Sequence, residues 1–224
     1  MPKKYGFKEK DFVVAHVINQ ILSGRLRSGD RVDRNRIVAE LGLSRVPIQE
    51  AVVQLEHDGI LSTRYHRGAY VERFDADVVR EHHEVYGVLS GIASARAAAD
   101  PRPEVLHRLE EHMAAMREHR DSQHFHDDCL NFRAVVSENY AGPRLQALIR
   151  SSLSFIPRAF WVAYLKTHDE MLPFYETEFA AIRAGDPDTA SRACVERSAV
   201  MARVMLIELE RRGVLPASGA LNSE

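Results

Sequence analysis

Between Asp33 and Gly59 the chain sets two short amphipathic segments on either side of the connection E-L-G-L-S-R, and few folds accommodate that arrangement. Asp33 can cap a short helix that carries Ile37, Val38 and Leu41 on its buried side and stops at Gly42. Ser44 is placed to cap the next helix, whose Ile48, Ala51, Val52 and Leu55 form a single apolar stripe. Pro47 falls within its first turn, where a missing N–H costs nothing, and Gly59 closes it. A tight, glycine-containing link between two helices defines a helix-turn-helix unit. Upstream, Val14, Val17, Ile18, Ile21 and Leu22 give the i, i+3, i+4, i+7, i+8 pattern of a first helix from Lys8 to Ser23, stopped by Gly24. Downstream, residues 60–64, a His66-Arg67-Gly68 tip and residues 69–72 read as a β-hairpin with Gly at the turn. Helix, helix-turn-helix and hairpin together predict a winged helix.

Such a module buries one face of its third helix and presents the other, here Arg45, Val46, Gln49 and Val53, to the DNA major groove. Arg45 can bind the O6 and N7 edge of guanine through two hydrogen bonds, and Gln49 the N6 and N7 edge of adenine. Ser44 and the amides at the helix start suit a phosphate. Arg34 and Arg36 open the preceding helix, and the wing tip of His66, Arg67 and Gly68 reaches the backbone or minor groove, completing the expected DNA-facing set. Charge agrees with this placement. Residues 1–73 carry 13 Lys and Arg against 9 Asp and Glu, while residues 74–224 carry 17 against 23. The competing reading is a basic three-helix module that binds protein, with Arg45 merely solvated.

Beyond Phe74 neither a strand signal nor an internal repeat is visible. Helices are predicted over 75–98, 103–120, 122–140, 143–166, 169–184 and 187–212, separated by D-P-R-P, A-G-P, T-H-D and G-D-P. The expected fold is therefore mostly α: an N-terminal winged helix-turn-helix over 1–73, followed by an all-α helical bundle over 74–224. Two cysteines, Cys129 and Cys194, make neither a disulfide framework nor a zinc or C-x-x-C motif, which points to a reducing compartment, the cytoplasm. No apolar run reaches the roughly 18 residues of a membrane span. An enzyme using Cys129 or Cys194 with a His is the alternative from another class, but no nucleophile motif, phosphate loop or H-E-x-x-H supports catalysis. His124 and Asp128 have the i, i+4 spacing of a metal pair, or form the solvated start of a helix. Phe155, Phe160, Trp161 and Tyr164 line an apolar ligand cavity, or are core or dimer interface.

The run S-G-D-R-V, then I-V-A-E-L-G-L-S-R-V-P-I-Q-E-A-V-V-Q-L-E-H-D-G-I-L, then H-R-G-A-Y-V resembles the N-terminal domain of GntR-family bacterial transcription regulators. Two departures stand out: Gln49 where the family usually has Arg, and Arg34 where it has an acidic residue. The second part resembles the FadR-type effector-binding and dimerising bundle through E-V-Y-G-V-L, N-F-R-A-V-V-S-E-N-Y-A-G-P-R-L and F-A-A-I-R-A-G-D-P-D-T-A. The resemblance implies a homodimer on a palindromic operator, commonly as a repressor, with a small-molecule effector in the bundle. Many such bundles hold a divalent metal through an Asp and three His. Carried across by the resemblance, those positions are Cys129, Arg133, Tyr175 and Arg197, and the usual pocket Arg of the first bundle helix is replaced by Leu89. A guanidinium cannot lose its proton and repels a cation, so no metal or other cofactor is expected. Arg133 and Arg197 with the Tyr175 hydroxyl and Cys129 would instead suit a carboxylate or phosphate. Alternatively each Arg is solvated or paired with Glu138, Glu196 or another bundle carboxylate.

Overall fold

The computed structural model describes residues 8–120, 124–154 and 168–216. Among them run α1 (Glu9–Leu22), α2 (Arg34–Leu41), α3 (Arg45–His57), β1 (Leu61–Arg64), β2 (Gly68–Val71), α4 (Ala76–Ala99), α5 (Pro103–Glu118), α6 (His124–Tyr140), α7 (Pro143–Ser154), α8 (His168–Ala184) and α9 (Pro187–Arg211). The fold is a winged helix-turn-helix followed by a helical bundle, the class expected from the pattern. The predicted start of α6 at Ser122, the continuation of α7 to Lys166, and Phe155, Phe160, Trp161 and Tyr164 lie outside the described residues. Packing divides the chain into two compact units, Met1–Val78 with Leu209–Glu224, and Val79–Glu208.

In the first unit α1 buries Val13, Val17, Ile18 and Ile21, and α3 buries Ile48, Ala51, Val52 and Leu55. Burying each of these Val, Ile and Leu side chains stabilises the unit by roughly 1.5–3 kcal/mol. Lys10 Nζ donates to Gln54 Oε1 at 2.8 Å and ties α1 to α3. The Asp33 carboxylate accepts from the amides of Asn35 and Arg36, and Gly42 takes the left-handed conformation with φ 64°, so α2 begins and ends as its sequence signals. Ser44 differs from expectation. Its backbone is extended, as an N-cap requires, but its side chain makes no capping bond.

The hairpin runs in register from Leu61 opposite Val71 to Arg64 opposite Gly68. Its tip closes with Arg67 N donating to Arg64 O at 2.9 Å, and His66 sits in the left-handed region at φ 55°. The segment S-G-D-R-V, read as a plain turn, is more than a connector. Gly29 N donates to Val71 O at 2.8 Å, Val32 N donates to Ala69 O at 2.9 Å, and Arg31 bridges Tyr70, adding a rung to the wing.

In the second unit α5 packs on α6 and α8. Tyr140, at the end of α6, donates through its hydroxyl to Asp100 O at 2.9 Å and accepts from Arg102 N at 3.2 Å, pinning the α4–α5 connection. Helix α4 approaches α9 closely because two of its inward positions are glycine: a Cβ on Gly87 would lie 2.9 Å from Ser198 Cβ, and one on Gly91 would lie 2.6 Å from Ser191 Oγ. That approach sets the depth at which α9 carries Cys194 and Arg197.

Candidate functional site

Each unit holds one constellation. In the first, the inward stripe of α3 leaves Arg45, Val46 and Gln49 on the opposite face, exposed, with Val46 66% and Val53 56% accessible. Apolar side chains this exposed on a helix face beside polar ones suit contact with another molecule, and valine methyls can meet a thymine methyl. Arg34 Nη1, from the start of α2, donates to Gln49 Oε1 at 2.5 Å. Arg36 turns along α2 to Glu40, with Nε 2.7 Å from Oε1, an exposed pair of little energetic weight. At the wing, His66 and Arg67 are exposed and Gly68 is half-buried. Arg31 lies against Gly68, where a Cβ would sit 3.1 Å from its Nε, and shares a cleft with Val32, Asp33, Arg34, Asn35 and Gly68. Sequence reasoning passed over Arg31 and the wing-tip Tyr65, which is 87% exposed. Arg31 stood within a motif already singled out, but the backbone pairing that carries it to the wing has no periodic signal.

In the second unit Cys129 and Arg133 on α6, Tyr175 on α8 and Arg197 on α9 converge, all buried. The group that joins the two arginines is Glu178, one turn after Tyr175 and fully buried. Glu178 Oε1 pairs with Arg133 Nη1, and its Oε2 accepts from Arg197 Nη1 at 2.5 Å. Ser94 donates to Glu178 at 2.5 Å, and Arg133 also donates to Ser94 Oγ at 3.1 Å and to Ser90 O at 3.3 Å. The Arg197 guanidinium lies 4.2 Å over the Tyr175 ring, which packs nearly perpendicular to Phe132. The carboxylate that answers the two cations is thus neither Glu138, which is exposed and 4.0 Å from Arg108, nor the exposed Glu196.

Among the described residues, two guanidiniums facing one carboxylate leave the cluster one positive charge in excess. Three buried polar atoms of the cluster, Arg133 Nε, Arg197 Nη2 and Ser90 Oγ, have no hydrogen-bond partner among the described residues, and neither have the ring nitrogens of the buried His83 on α4. Burial works against the Glu178 charge, but Arg133 and Arg197 outweigh it and hold the carboxyl down to about 2. Burial pushes the Cys129 thiol up to about 12, raises the Tyr175 hydroxyl, and lowers His83 to about 3, so all three are neutral at pH 7. This donor set does not fit a divalent cation. Its cysteine and tyrosine keep their protons, its arginines repel metal, and its one carboxylate already serves two cations.

His124 and Asp128 do not form an isolated pair. Asp128 Oδ2 lies 2.7 Å from His119 Nδ1, and the His119 and His124 rings are 5.5 Å apart. Among the described residues, no group of three or more His, Cys, Asp or Glu could hold a metal ion.

Comparison with known proteins identifies the class these features define. Residues 9–71 match the family described as "Bacterial regulatory proteins, gntR family", and residues 81–197 match the FCD domain. An uncharacterized HTH-type transcriptional regulator of Mycobacterium tuberculosis is 58% identical over 98% of this chain and 91% of its own. A probable D-xylose utilization operon transcriptional repressor of Paenarthrobacter nicotinovorans is 27% identical over 82% of this chain and 81% of its own. Among solved structures, E. coli McbR/YncC is similar with a TM-score of 0.64 at 18% identity, covering 91% of this chain and 99% of that one. A GntR-family transcriptional regulator from Pseudomonas syringae pv. tomato has a TM-score of 0.57 at 16% identity, covering 92% and 87%. The chain belongs to the GntR family of transcriptional regulators and carries an FCD domain after its DNA-binding winged helix. Its relatives are regulators rather than enzymes. No helix among the described residues is long and apolar enough to cross a membrane.

Proposed function

We propose that the protein is a cytoplasmic, homodimeric repressor whose bundle binds a small anionic metabolite and thereby changes affinity for a palindromic operator. Residues 1–73 bind DNA and residues 74–224 bind the effector and dimerise. One winged helix contacts only a short half-site, so useful affinity needs two, related by the symmetry of the operator. Arg45, Val46 and Gln49 enter the major groove, Ser44 with Arg34 and Arg36 meets phosphates, and His66, Arg67 and Gly68 reach the backbone or minor groove.

The observation that carries the effector reading is the buried cation in excess among the described residues, with Arg133 Nε and Arg197 Nη2 unpartnered there. An uncompensated buried charge is costly, and a bound carboxylate or phosphate would remove the cost by accepting from those donors. Tyr175 and Cys129, both protonated, frame the same place. A ligand alters operator binding only if it prefers one arrangement of the dimer over another. Glu178 favours a second reading: it already bridges both arginines, as it would in a ligand-independent regulator.

Titration of a fluorescent duplex from the chain's own upstream region tests the DNA assignment. Affinity is expected to fall steeply between 50 and 200 mM salt, as counterion release requires. Arg45→Ala should cost about tenfold and relax base preference at one position, whereas Arg67→Ala should weaken all sequences alike. Unchanged base preference in Arg45→Ala would show that α3 does not face the bases as assigned.

A further inference from the structure

Gln49 stands on the exposed face of α3, one turn after Arg45, yet its amide is not free to choose an orientation. Arg34 Nη1 donates to its Oε1 at 2.5 Å. A guanidinium has donors only, so it can pair with the carbonyl end of the amide and never with the –NH2 end. Arg34 is itself half-buried and lines the cleft at the start of α2 with Arg31, Val32, Asp33, Asn35 and Gly68. The bond is exposed, and the cleft sets where the Arg34 stem leaves the backbone. The end of Gln49 left for DNA is the –NH2 group.

That orientation changes what Gln49 can read. A glutamine with both ends free pairs with adenine by donating to N7 and accepting from the N6 amino group. With its oxygen held by Arg34, only the donating half remains, and the adenine amino group would face a donor and a cation. Guanine presents N7 and O6, two acceptors on one edge, and satisfies the same –NH2 without needing an acceptor in return. Arg45, one turn earlier, also offers donors alone.

We infer that Arg34 is a positioning, specificity-determining residue: by holding the Gln49 carbonyl it makes Gln49 a donor-only reader that selects guanine over adenine at its operator position. The inference rests on the DNA-binding reading of α3.

Binding-site selection with the full chain, followed by competition titrations, tests it with wild type, Arg34→Met, Arg34→Lys and Gln49→Ala. Wild type should prefer guanine to adenine at one half-site position by about tenfold. Arg34→Met, which keeps the stem and removes the donors, should turn that preference toward adenine. Arg34→Lys should retain guanine, and Gln49→Ala should lose the preference. An unchanged base ranking in Arg34→Met, with affinity lowered equally for all sequences, would leave Arg34 a phosphate contact alone, with no part in base choice, and overturn the inference. So would a wild-type preference for adenine at that position. If wild type bound no duplex in a salt-dependent way, the DNA-binding reading would fail first and take this one with it.

Discussion

Replacing Glu178 by Gln should destabilise the protein by about 3–5 kcal/mol, because removing one partner of a buried ion pair leaves the other uncompensated. Here one substitution strands two cations. Arg133 and Arg197 are 5% and 1% exposed, so neither can recover its hydration without opening the bundle. The neighbouring exposed pair of Arg117 with Glu176, at 3.0 Å, supplies the contrast: Glu176→Gln should cost less than about 1 kcal/mol. The pH dependence has a definite sign. The Glu178 carboxyl is held to about 2 in the folded chain against a reference value of 4.5, so its contribution is complete above about pH 4.5 and is lost as pH falls toward 2. Urea unfolding followed by far-UV circular dichroism at several pH values reads both effects. The part of the acid slope that Glu178 supplies should be missing from Glu178→Gln. Equal midpoints for wild type and Glu178→Gln at pH 7 would mean that the carboxylate does not hold the cluster together.

Gly87→Leu should cost about 3 kcal/mol, the upper part of the range for overpacking. A Cβ at Gly87 would lie 2.9 Å from Ser198 Cβ and 3.1 Å from Val195 Cα, and the second of these is backbone, which cannot rotate away. Leucine would gain about 1 kcal/mol over glycine in intrinsic helix propensity. That gain is small beside the forced separation of α4 from α9. Because Ser198 adjoins Arg197, and its hydroxyl donates to His83 O, the same wedge would also draw Arg197 from Glu178. Val88→Leu on the exposed face of the same helix is the control: Val88 is 48% accessible, and the change should stay within about 0.5 kcal/mol. Denaturant midpoints that moved equally in the two variants would show that the α4–α9 approach does not govern the response.

The two units differ in how much of their function is legible in sequence. The helix-turn-helix announces itself because its determinants are local: the Asp33 cap, the left-handed Gly42 and the apolar stripe of α3 lie within a few residues of one another. The pairing of residues 29–32 with the wing is long-range and leaves no periodic trace, so Arg31 was missed. In the bundle, the resemblance pointed to Cys129, Arg133, Tyr175 and Arg197, and all four are buried. What it could not supply was the identity of the answering carboxylate. A fully buried Glu contradicts the usual surface preference of that residue. The only hint was its spacing of three from Tyr175, which means something only once Tyr175 is known to face inward. Gln49 gives the same lesson in smaller form. Its residue type suggests adenine, and only the position of Arg34 shows which end of the amide is free.

Native mass spectrometry of the full chain, purified without chelator and sprayed from volatile buffer, tests the central claim most directly. The expected species is a dimer, twice the 25.4 kDa chain, that carries one small organic anion per chain and no stoichiometric transition metal. The anion should be lost in Arg197→Met. A bare polypeptide mass under gentle conditions, or a metal ion retained by bundle residues, would contradict an effector site built on Arg133, Arg197 and Glu178.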